Sequence, residues 1–252
     1  MKAVIDLKSK RWGIAFLCLG VFSLFTIIAF MSLWPYFRAS ASNQVSGINY
    51  LAYFTYLSNL LAAVWLILTG ISNIFKFEKL QKFLVSPKVF VAVVMYIFVV
   101  GLVFYGFLRW VNTPYPWSLW YARLIDFCNH GLFPLLMTLL FLFSKNEAKE
   151  RIKQRHVLFW MIFPIAYVIF SLVRGSIDGF YAYPFFDLNW EVFQNIGLTS
   201  PFLFFPLLML LSFGAFYAMG LLFKLIWNRL SGIVKVVEKP LVEELEEGVA
   251  HE

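Results

Sequence analysis

An all-α polytopic membrane protein is the fold class this sequence predicts: six transmembrane helices in one bundle, with both termini on the cytoplasmic side. Three observations carry that expectation. Of the 252 residues 61% are hydrophobic, 20% are aromatic and only 14% are charged, with a mean hydropathy of +0.76. A water-soluble chain of this length has no use for so much apolar surface. Second, the apolar stretches are long and unbroken, as spanning helices require, whereas barrel strands alternate over about ten residues. Third, all but four of the 21 Lys and Arg fall at the N-terminus, at 73–88, at 144–156 or near the C-terminal end. With six spans these four places share one side, and the excess of cations marks it as the inner one. The four exceptions, Arg38, Arg109, Arg123 and Arg174, lie toward the other side.

The elements follow in order as one domain over 1–230, with spans predicted at about 12–34, 50–71, 89–110, 118–143, 157–173 and 203–227. The first is long enough to cross hydrocarbon, so it reads as a retained helix although Ala39-Ser40-Ala41 mimics a processing site. The third ends at Asn112-Thr113-Pro114-Tyr115-Pro116, a turn-rich break. Between the fifth and sixth spans, Arg174 to Phe202 contains no lysine, and 185–197 reads as a short interfacial helix over the outer face. Residues 231–252 read as a charged cytoplasmic tail, solvated and poorly ordered. Trp12, Trp160 and Trp227 mark the inner interface, and Trp34, Trp110, Trp117, Trp120 and Trp190 the outer one.

The net charge of +7 belongs to this topology and calls for no nucleic-acid partner. Cys18 and Cys128 lack CxxC spacing and read as small core residues. His130 is the single histidine inside a span, so no metal site is expected, and no phosphate-binding glycine loop calls for a cofactor. Membrane lipids are the expected partners.

Polar groups inside spans cost free energy unless they meet one another, so they nominate the site. On the second span Thr55, Ser58, Asn59 and Ala62 share one stripe at i, i+3, i+4 and i+7. On the fourth, Arg123, Asp126, His130 and Pro134 share another, with Asn129 beside them. Asp126 reaches His130 across one turn, and a carboxylate beside an imidazole fixes the tautomer that a general base needs. Pro134 removes the helical partner of the His130 carbonyl and predicts a kink there. Each polar group can also serve only to hold helices together. Arg174 either reaches the headgroups or turns inward to stabilise negative charge.

The FTY segment around Thr55, Asn129-His130-Gly131, Ala166-Tyr167-Val168-Ile169 and Tyr183-Pro184-Phe185-Phe186-Asp187, in that order, resemble the androgen-induced-gene family of six-pass membrane proteins. The likeness covers roughly residues 50–190. The family's animal members hydrolyse fatty acid esters of hydroxy fatty acids with an intramembrane threonine nucleophile and a histidine. The resemblance implies Thr55 as nucleophile and His130 as base, with Tyr183, Pro184 and Asp187 in an outer-loop motif. Vertebrate members carry two histidines three apart and use the second; here His130 falls on the first and Phe133 on the second. The function expected is therefore an intramembrane lipid-ester hydrolase acting on a fatty-acyl ester in the cell membrane. Asp126 would orient His130, and Asn129 or Arg174 would donate to the oxyanion. The alternative is a transporter or lipid-binding protein whose Asp126, His130 and Arg174 form a polar seam.

Overall fold

The computed structural model describes residues 5–37, 47–109, 120–144, 150–188 and 201–249. Their helices are α1 (Lys10–Phe37), α2 (Phe54–Phe75), α3 (Glu78–Leu84), α4 (Pro87–Val103), α5 (Trp120–Phe127), α6 (Phe133–Phe143), α7 (Gln154–Trp160), α8 (Ile162–Asp178) and α9 (Pro201–Val249). Wider π-helical turns at Phe104–Leu108 and Cys128–Leu132 extend α4 and join α5 to α6. Six of the resulting stretches are long and apolar enough to cross a bilayer: Lys10–Ser32, Phe54–Phe75, Pro87–Gly106, Trp120–Phe143, Gln154–Asp178 and Phe204–Leu230. The protein is thus an all-α bundle of six spans.

Small residues set the closest helix pair. A Cβ on Gly70 of α2 would lie 2.7 Å from the Gly13 carbonyl oxygen of α1, and one on Gly20 would lie 2.9 Å from the Ala63 carbonyl. Backbones this near exploit dispersion, the main attraction left between helices solvated by lipid tails. At the basic end the chain entering α1 is tied down by polar side chains. Asn73 donates to the Leu7 carbonyl at 2.8 Å, and Gln81 donates to Asn73 at 2.8 Å. The Ile5 amide donates to the Phe143 carbonyl at 3.0 Å, which places the start of the chain beside the end of the fourth span.

The middle of the bundle is built on α4, whose Phe90, Val91, Val94, Met95 and Ile97 are fully buried. Phe141 from α6 and Trp65 from α2 close over them, as do Phe223 and Trp227 from α9. Prolines explain two interruptions. Pro164 cannot supply the N–H that Trp160 would receive, so the fifth span breaks at Met161 and the Trp160 carbonyl accepts from the Tyr96 hydroxyl at 2.6 Å. Pro134 acts likewise on His130, where the expected kink takes the form of the Cys128–Leu132 π turn.

Several expectations are corrected. The second span starts at Phe54 rather than Tyr50, because a 3-10 turn over Gly47–Ala52 precedes it. Only Cys128 is a core residue; Cys18 is exposed on the outside of the bundle. Trp160 and Trp227 lie at the expected end but are buried, their indole N–H groups donating to the Lys88 and Glu150 carbonyls. Trp120 is 68% exposed at the opposite end. Helical backbone runs on to Val249, through the residues read as a poorly ordered tail. Of 185–197, the described part holds only a 3-10 turn at Pro184–Phe186. The 112–116 break, Trp110, Trp117 and Trp190 lie outside the described residues, as does the Trp34 side chain.

Candidate functional site

Thr55, Ser58, Asn59 and Ala62 are all buried, as one inward stripe requires. Asn59 is its centre. Its Nδ2 donates both to the Thr55 carbonyl at 2.9 Å and across the bundle to the Asn129 carbonyl at 3.0 Å. Asn129 in turn donates to the Ile125 carbonyl at 2.9 Å and receives the Thr26 hydroxyl of α1 at 3.4 Å. A carbonyl next to a π turn has an altered helical partner, which leaves the Asn129 oxygen to an outside donor. Three spans therefore meet on one amide. Ser58 Oγ, Asn59 Oδ1 and Ser23 Oγ are buried with no hydrogen-bond partner among the described residues.

Asn59→Ala removes both donated bonds at once. It is expected to lower stability by about 1–2 kcal/mol, measured as an earlier thermal unfolding transition in detergent.

The second centre is His130. Its Nδ1 stands 3.0 Å from Asp126 Oδ1 and 3.1 Å from the Asp126 carbonyl oxygen. Both neighbours accept, so in the neutral ring Nδ1 carries the proton and Nε2 the lone pair. The ring lies flat on Phe104, centroids 3.9 Å apart and planes inclined by 17°. Phe104 opens the π turn of α4, so one widened turn faces another. Gly131 makes the approach feasible: a Cβ there would meet the Tyr105 hydroxyl at 2.6 Å. Gly101 does the same on the other flank, where a Cβ would lie 3.1 Å from the His130 carbonyl. Phe133 packs in the core at 1% exposure, edge-on to Phe22.

Thr55 is in the first turn of α2, beneath an aromatic cover. Tyr183 stands close enough for the Thr55 hydroxyl to pull on its phenol. Tyr183 packs edge-on to Tyr53 and stacks on Phe185, and Tyr167 secures the same corner by donating to the Ala52 carbonyl at 2.9 Å. Burial pushes the Tyr183 phenol far up, outweighing the opposite pull of the Thr55 hydroxyl, so it stays protonated. Arg174 belongs elsewhere. It pairs with Asp178 at 3.1 Å, bonds Asn49 and covers the Phe180 ring at 4.7 Å. That set fixes the C-terminal end of α8 and does not join His130. Asp187 is part-buried in the same outer segment.

The structure thus joins Asn59 to Asn129 and Asp126 to His130, with Thr55 one turn along α2 from Asn59 and beneath Tyr183. It leaves Arg174 apart. Thr55 and His130 share no hydrogen bond among the described residues. Asn59, four residues beyond Thr55, bonds at the level of Asn129, so Thr55 stands about 6 Å nearer the start of α2. Ser23 and Thr26 on α1 escaped the sequence reading. Their spacing of three along a long apolar helix was the available signal.

These features define a class, a six-span helical membrane protein with a polar site between helices. Compared with known proteins, the chain finds no significant match among family models, curated proteins or solved structures.

Proposed function

We propose that the protein is an intramembrane lipid-ester hydrolase of the cell membrane, oriented with both termini inside. The carrying observation is the Asp126–His130 pair. It leaves a lone-pair nitrogen, Nε2, in a largely buried site, which is the form a general base needs. The resemblance to the androgen-induced-gene family supports the same assignment.

In this reading Thr55 Oγ attacks the acyl carbonyl and His130 Nε2 takes its proton. His130 returns that proton to the departing alkoxide, leaving a threonyl ester. Water, deprotonated by the same nitrogen, then cleaves the ester and restores Thr55. Tyr183, protonated and beside the Thr55 hydroxyl, is the best-placed donor for the developing oxyanion. It takes the role that Arg174 was expected to fill. The present gap between Thr55 and His130 closes through a bridging water or by approach of α2 with substrate bound, since catalytic hydrogen bonds often tighten only in the complex.

A fluorophosphonate lipid probe should label the wild-type protein and leave Thr55→Ala unmodified, read by intact mass. Equal labelling of the two would remove Thr55 as nucleophile. The aromatic cover of Tyr53, Tyr183 and Phe185 at Thr55 favours a second reading, a lipid-binding protein without chemistry. In that case saturable lipid binding persists in Thr55→Ala and no probe adduct forms on either protein.

A further inference from the structure

At the opposite end of the bundle a cleft of about 360 Å³ is lined by Lys88, Arg155, His156, Phe159 and Trp160. We propose that it binds the phosphate-bearing headgroup of an anionic phospholipid from the leaflet at the basic end.

Its walls are built rather than accidental. Lys88 opens α4 and Trp160 closes α7, and the Trp160 indole donates to the Lys88 carbonyl at 2.8 Å. The Trp160 carbonyl is fixed by Tyr96 at 2.6 Å. His156 is 7% exposed, and its Nδ1 accepts the Lys153 amide at 3.1 Å. That contact leaves Nε2 as the protonated nitrogen in the neutral ring, a donor suited to a phosphate oxygen.

Lys88 and Arg155 add two full positive charges. One carboxylate competes: Glu150 meets Lys88 at 2.5 Å, with side chains 38% and 47% exposed. The balance stays cationic. Phe159, which lines the cleft, and its helix neighbours Leu158 and Ile162 are 65%, 57% and 59% exposed along one side of the fifth span. Acyl chains running down that apolar face would carry their phosphate to the level of Lys88 and Arg155. A basic pocket between spans with an apolar track beneath it suits a lipid better than a free anion.

The test is native mass spectrometry of the purified full-length chain, titrated with phosphatidylglycerol or phosphatidylcholine of identical acyl chains. Wild type should retain phosphatidylglycerol at least tenfold better. Each cation is worth about fivefold near a membrane surface, so Lys88→Gln/Arg155→Gln should bind about thirtyfold more weakly and exposed Arg155→Gln alone about fivefold. Glu150→Gln should bind at least as well as wild type. Lys79→Gln/Lys82→Gln, at the same end but outside the cleft, should match wild type, and inorganic phosphate in large excess should not displace the lipid. Equal retention of the two lipids, or an equal loss in the Lys79/Lys82 pair, would overturn the proposal. Displacement by inorganic phosphate would assign the cleft to a soluble anion instead.

Discussion

Replacing His130 with alanine is expected to reduce acyl-ester turnover by a factor of about 10²–10⁴, the usual worth of a positioned general base. Release of fatty acid from an ester lipid, measured with purified protein in lipid nanodiscs, is the assay. Asp126→Asn should produce a smaller loss, because the amide still bonds Nδ1 but no longer supports a positive ring. The pair separates catalysis from folding. Asp126→Asn preserves volume and can keep the 3.0 Å contact, so its unfolding transition should match that of wild type. His130→Ala leaves Phe104 without its stacked partner, so its thermal transition is to be compared directly. Turnover unchanged in both variants would assign the polar region to lipid binding or helix association. Turnover lost in His130→Ala alone would keep the imidazole as base and reduce Asp126 to a passive neighbour.

The second large effect is on stability. Gly70→Leu sets a branched side chain where even a Cβ would stand 2.7 Å from a backbone oxygen of α1 and 2.8 Å from the Leu17 amide nitrogen. Neither atom is the far end of a flexible side chain, so the helices must move apart. Overpacking of this kind costs about 1–3 kcal/mol or more, and here the closest helix pair of the bundle absorbs it. The protein should lose its monodisperse peak in size-exclusion chromatography or melt well below wild type. Gly106→Leu is the control, since a Cβ at Gly106 meets nothing within 4 Å. Equal melting of the two variants would show that α1 and α2 do not depend on this approach.

Much of the fold could be read from the chain because lipid imposes one-dimensional rules. A spanning helix must be long, apolar and continuous, and its flanking cations report orientation, so span number and order followed directly. The ends were harder. Tyr50 and Leu51 are apolar enough for helix, yet they sit in a 3-10 turn, which moved Thr55 from the second turn of α2 to the first. Cys18 shows another limit: hydropathy cannot separate a lipid-facing residue from a core residue when both solvents are apolar.

At the site, the Thr55–Ala62 stripe and the Asp126–His130 contact followed from helical spacing. The amide bridge from Asn59 to Asn129 did not, because it needs the relative height of two helices. Arg174 was assigned by charge alone, and the partners that claim it, Asp178 and Asn49, lie four residues along α8 and on a distant segment. Pro134 predicts only a kink at 128–132, because it marks a missing donor and not the geometry that compensates for it.

That widened turn makes the fourth span carry, in effect, one inserted amino acid. Because a π turn closes i→i+5 where an α turn closes i→i+4, deleting a single position between 128 and 132 would restore regular winding with the Trp120–Phe127 and Phe133–Phe143 halves keeping nearly the same facing. The extra residue therefore leaves Arg123 and Asp126 on their bearing and changes only the turn between, where the Asn129 carbonyl is offered to the Asn59 amide at 3.0 Å. No count of spans registers that exchange, and chains differing by this one residue would share a silhouette while differing in which carbonyl the fourth span leaves open.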